Sequence, residues 1–103
     1  MKTYNKLIRD KIPEIIEQNG KDYEIEVLDD ERYIEALQKK LQEELDEYIE
    51  SEEVMELADL VEIIYAILDV EGISREEFEE MRLDKKEERG GFEEKILLKK
   101  VMD

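Results

Sequence analysis

Leu41-Gln42-Glu43-Glu44-Leu45-Asp46-Glu47-Tyr48-Ile49-Glu50-Ser51-Glu52-Glu53-Val54-Met55-Glu56-Leu57-Ala58-Asp59-Leu60 reads as the elbow of a helical hairpin. Going backward from it, Tyr48, Leu45, Leu41, Leu37 and Ile34 recur at spacings of three and four, which is one face of a helix. Going forward, Leu57, Leu60, Val61, Ile64 and Leu68 do the same. Ser51 is the residue expected to cap the third helix, and Gly72 is expected to stop it near Glu71.

Working outward, Asp29 or Asp30 is placed to cap the second helix. Ser74 with Glu77 forms a capping box for a fourth helix that reaches about Arg89, where Gly90-Gly91 breaks the chain. Near the start, Tyr4, Leu7, Ile8, Ile12, Ile15 and Ile16 have helical spacing, with Pro13 tolerable in a first turn and Asn19-Gly20 as the end. Tyr23, Ile25 and Val27 alternate with charged residues and predict a short strand. Ile96-Leu97-Leu98 is an apolar run short enough to pair with it. The expected fold is therefore mainly α, a bundle of about four helices with a small two-stranded β element, in one domain over residues 1–103.

Composition removes whole classes of chemistry. The 103 residues hold no Cys and no His, so thiolate nucleophiles, imidazole bases and ordinary zinc sites are excluded. Asp and Glu number 32 against 16 Lys and Arg, a net charge of −16 that is opposite to what a nucleic-acid groove needs. An apolar fraction of 41% argues against simple disorder. No apolar run has the length of a membrane span, and the first thirty residues are charged throughout, so the expected location is cytoplasmic. Chemistry in such a chain falls to carboxylates and a hard cation.

Residues 41–74 contain twelve acids and no Lys or Arg. A solvated helix face is the ordinary reading of such a run, and like charges one turn apart cost stability. The register of the hairpin adds more. Positions 47 and 56, and positions 44 and 59, are equidistant from a turn centred near Ser51-Glu52. Glu47 is thus level with Glu56, and Glu44 with Asp59, while within each helix the pair is three residues apart and shares a direction. At roughly 100° per residue, these acids flank the apolar seam instead of facing open water. Carboxylates crowded at a half-buried seam cannot all stay ionised without a cation. An all-oxygen donor set points to Mg²⁺, for which Mn²⁺ can substitute, serving a phosphorylated ligand. No Gly-rich phosphate loop is present.

Glu43-Glu44-Leu45-Asp46-Glu47 followed by Glu56-Leu57-Ala58-Asp59 resembles the EExxE…ExxD signature of the MazG-like all-α nucleoside triphosphate pyrophosphohydrolases. Tyr4-Asn5-Lys6-Leu7-Ile8-Arg9-Asp10-Lys11-Ile12-Pro13-Glu14 and Lys85-Lys86-Glu87-Glu88-Arg89-Gly90-Gly91-Phe92 resemble segments of its compact phosphoribosyl-ATP pyrophosphohydrolase-like branch. The resemblance implies a Mg²⁺-binding helical hairpin that cleaves a nucleoside triphosphate, or a related nucleotide, to the monophosphate and pyrophosphate, in nucleotide-pool house-cleaning. Carried over by position, it implies Glu44, Glu47, Glu56 and Asp59 as metal ligands. Glu43 is either a further ligand or, like Glu47, a group that orients or deprotonates the attacking water. The interval between Glu47 and Glu56 is shorter than in many relatives, so a base-recognising insertion is not expected there.

The basic residues have two readings each. Lys86 and Arg89 suit a helix C-terminus on electrostatic grounds alone, or they bind substrate phosphates beside the flexible Gly pair. Arg9 either forks onto phosphate oxygens or forms a salt bridge to the acidic helices, and Lys6 and Lys11 pose the same question. The third helix carries an apolar arc of roughly 220°, against about 100° for an ordinary surface helix. Burial from two sides predicts a homodimer or higher homo-oligomer. The competing functional reading is a non-enzymatic acidic helical module that binds a basic protein partner.

Overall fold

The computed structural model describes residues Met1–Asp103 and is all-helical, in the order α1 (Ile12–Gln18), α2 (Asp30–Ser51), α3 (Val54–Glu71) and α4 (Arg75–Arg89). Residues Met1–Gly72 form one compact unit and Ile73–Asp103 another.

In the first unit, α2 and α3 pack against one another through a two-residue link, Glu52-Glu53. At 1.5 Å per residue, α2 is about 33 Å long. Its start is fixed by Asp29, whose side chain accepts from the Arg32 N–H at 2.8 Å. Arg32 in turn forks onto Glu26 at 2.9 and 3.1 Å, tying the preceding segment to the first turn of α2. The Arg32 guanidinium, through hydrogen bonds and charge, holds the Glu26 carboxyl below its ordinary range. The helix ends at Glu52, which takes a left-handed φ of 58° while its N–H reaches Tyr48 O at 2.7 Å. Leu37, Ile63 and Leu68 are the buried apolar side chains, so the core lies in the α2–α3 seam.

Three expectations are corrected. The opening segment is not helical from Tyr4: α1 begins at Ile12. Pro13 lies in its first turn, and the Pro ring excludes a helical turn on its N-terminal side. Residues before it form an arm, joined to α1 by the Ile12 N–H, which donates to Arg9 O at 3.1 Å. Ser51 is not the cap of α3 but the last residue of α2, and its Oγ accepts from the Glu53 N–H at 3.2 Å. Glu53 holds the cap position with no side-chain bond. Finally, no strand forms at 23–28 or 96–98. Val27, Ile96, Leu97 and Leu98 stand exposed, and a lone two-stranded pairing is marginal in water.

The second unit is organised by α4. Ser74 Oγ accepts from the Glu77 N–H and donates to the Glu77 carboxylate, both at 3.1 Å. The expected cap is present, with its return bond landing on the hydroxyl instead of the backbone. Gly90 ends α4 at φ 84°, and its N–H donates to Lys86 O at 2.7 Å. No helix is long and apolar enough to cross a membrane.

Candidate metal centre

Two acidic triads meet at one residue of the hairpin. Glu43, Glu44 and Glu47 of α2 place carboxylate oxygens within 4.8 Å of one another, and so do Glu44, Glu56 and Asp59 across the α2–α3 seam. Glu44 belongs to both. Its residue is 7% exposed, and its Oε2 is buried with no hydrogen-bond partner. A buried acceptor without a donor costs about 1–3 kcal/mol, more for a charged group, so this oxygen is set to accept something.

The helical repeat explains the meeting. Glu44 and Glu47, like Glu56 and Asp59, are one turn apart on their own helix. The tight link brings the two turns to one level. Glu44 opposite Asp59 follows the expected register, and Glu56 lies within hydrogen-bonding reach of both Glu44 and Glu47.

Crowding changes the protonation of these acids. Burial, then a hydrogen bond that the protonated Glu56 donates to Glu44, and the charges of Glu47 and Glu44, push the Glu56 carboxyl up to about 7. Hydrogen bonding to Glu44, together with its charge, raises Glu47 as well. Two carboxyl groups can share a hydrogen bond only if one keeps a proton, so the cluster binds protons where it lacks other cations.

Its other cations come from outside the acidic run. Lys40 Nζ lies 3.6 Å from Glu43 Oε1 and 3.5 Å from Glu44 Oε1, one turn earlier on α2. Lys6 Nζ is 3.8 Å from Glu43 Oε1. Arg9 Nη2 donates to Asp59 Oδ1 at 2.7 Å. Of the two readings of Arg9, the structure holds the salt bridge. Lys40 was not singled out by the sequence reading, although its spacing of three and four from Glu43 and Glu44 is a readable ion-pair signal.

The structure thus brings together all five acids named from the sequence, Glu43, Glu44, Glu47, Glu56 and Asp59, and adds Arg9 and Lys6 from the arm. Lys86 and Arg89 belong to the second unit, in the last turn of α4. There, with Arg82, Lys85 and Phe92, they line an open depression beside Gly90-Gly91. Arg82 is already engaged by Glu79 on its own helix.

The donor set fits a hard divalent ion. It offers only carboxylates, one oxygen is orphaned, and two neighbouring acids carry raised protonation that a cation would replace. No family model, curated protein or solved structure matches the chain.

Proposed function

We propose that the chain is a Mg²⁺-dependent nucleoside triphosphate pyrophosphohydrolase of the MazG-like kind, releasing a nucleoside monophosphate and pyrophosphate. The observation that carries this reading is the pair of carboxylate triads that share Glu44, a buried residue whose Oε2 has no hydrogen-bond partner. A solvated acidic face that docks a basic partner needs no such convergence and no burial.

In this reading Glu44, Glu47, Glu56 and Asp59 would hold Mg²⁺, with Mn²⁺ able to replace it. When bound, the ion supplies a Lewis acid for phosphoryl oxygens and a lowered water pKa. The rest is the chain's own work. Glu43 or Glu47 accepts a proton from the attacking water. The water oxygen bonds to the α-phosphorus as the bond to the bridging oxygen breaks, and pyrophosphate leaves. Glu56 releases its proton when the site fills, since a nearby cation favours the ionised carboxylate. Arg9 is the proposed phosphate contact beside the hairpin, able to give a charge-assisted bond, and the resemblance implies Lys86 and Arg89 as further ones.

We extend the proposal to assembly. Val54, Met55, Leu57 and Val61 of α3 are exposed, the last two at 39% and 43%. A second copy of the chain covering this face gives α3 the second neighbour its wide apolar arc requires.

The test is a panel of nucleoside triphosphates with Mg²⁺, assayed for pyrophosphate, alongside Glu47→Ala. Turnover in the wild type that Glu47→Ala abolishes supports the reading. No turnover of any nucleotide, with no Mg²⁺ bound in calorimetry, removes it in favour of the basic-partner module.

A further inference from the structure

The acidic cluster is held in part by a segment that has no regular secondary structure. Residues 1–9 contain no helix or strand, and Asn5 turns within them at a left-handed φ of 47°. Lys6 stands 5.8 Å from the centre of the Tyr4 ring and reaches Glu43, and Arg9 reaches Asp59. Both cationic side chains are exposed, Lys6 at 45% and Arg9 at 60%. Exposed pairs of this kind hold weakly and exchange with water. Lys40 differs: it rises from α2 itself, is only 20% exposed and bridges Glu43 and Glu44.

A Mg²⁺ ion takes carboxylate oxygens at about 2.0–2.1 Å. Asp59 Oδ1 already accepts from the Arg9 guanidinium at 2.7 Å. Serving both would press like charges together, and the repulsion is strong near a half-buried seam. The cation that yields is the one on the least anchored element, which is the arm and not α2.

We propose that residues 4–11 act as a tethered counter-cation: Arg9 and Lys6 occupy Asp59 and Glu43 while no ion is bound, and a divalent ion entering the hairpin displaces them and releases the arm. This rests on the reading of the hairpin as a Mg²⁺ site. The arm then competes with the ion, and apparent Mg²⁺ affinity falls by the fraction of molecules in which it is engaged. It also keeps the crowded acids from repelling one another in the ion-free protein.

Backbone ¹⁵N relaxation of the wild-type chain with and without MgCl₂, paired with calorimetric Mg²⁺ titration of the wild type and the Lys6→Gln/Arg9→Gln double variant, tests this. Order parameters at residues 4–11 are expected to fall on Mg²⁺ addition while those of α2 and α3 hold. The double variant is expected to bind Mg²⁺ about threefold tighter or better, as the competing fraction is removed. Mg²⁺ binding with arm order parameters unchanged or raised overturns the inference and leaves the metal reading standing. So does an affinity in the double variant that is equal or weaker. No Mg²⁺ binding in either protein overturns both. The wild-type relaxation result decides alone if the double variant fails to fold.

Discussion

Glu44 of α2 and Asp59 of α3 put carboxylate oxygens within 4.8 Å of each other across the hairpin, with Glu56 completing the triad. A cation close by makes that arrangement more favourable. The cations beside it are Lys40 at Glu44 and Arg9 on Asp59, and crowding favours a proton on Glu56.

Mg²⁺ is therefore expected to stabilise the fold. At a free concentration one hundred times its dissociation constant the gain is about 2.7 kcal/mol. That is on the order of 10–20 °C in Tm for a domain of this size. Glu47→Ala should erase both this shift and turnover while raising ion-free stability, because it relieves repulsion from Glu44. Asp59→Ala should also erase turnover but gain less ion-free stability than Glu47→Ala, since it also removes the ion pair with Arg9. Thermal melts in chelator and in Mg²⁺ check both variants, and a Mg²⁺-independent wild-type Tm contradicts the expectation.

The raised Glu56 carboxyl predicts a pH dependence. Its folded value is about 7, above the usual 4.5, so between these limits the folded chain holds a proton that the unfolded chain has lost. The sign follows: this group makes ion-free stability fall as pH rises from about 4.5 to 7. Glu56→Gln should flatten that part of the profile in chelator. Mg²⁺ affinity should rise through the same window, because binding releases the proton. A Glu56→Gln profile parallel to the wild type would remove the assignment.

Arg89→Ala should weaken turnover more than folding. A charge-assisted contact to phosphate is worth on the order of 1.5–3 kcal/mol, so kcat/KM should fall by about one to two powers of ten. A cation serving only the exposed C-terminus of α4 would cost roughly 0.3–1 kcal/mol of stability and leave turnover unchanged. Kinetics and a denaturant melt on the one variant separate these outcomes.

Much of the fold was legible because its signals are local. Asp29, Gly72 and the Ser74–Glu77 pair stop or start helices through bonds to their own neighbours, and each does so in the structure. The register of Glu44 with Asp59 was legible because two helices of equal rise leave a short link at the same rate. The strand at Tyr23, Ile25 and Val27 was misread because alternation describes side-chain direction and says nothing of a pairing partner. The arm was misread because the helical spacing of Tyr4, Leu7 and Ile8 ran into Pro13, which sets where α1 begins. Lys40 was overlooked because it stands one residue outside the acidic run that drew attention to the site. Where Lys86 and Arg89 act is a matter of tertiary placement that local pattern does not encode.

The proposed activity breaks the bond between the α- and β-phosphates, and ³¹P NMR of a nucleoside triphosphate incubated with the chain and Mg²⁺ tests it most directly. Nucleoside monophosphate and pyrophosphate signals should grow in equal amounts, with no growth after Glu47→Ala. An unchanged triphosphate spectrum, or diphosphate with orthophosphate in place of pyrophosphate, would contradict it.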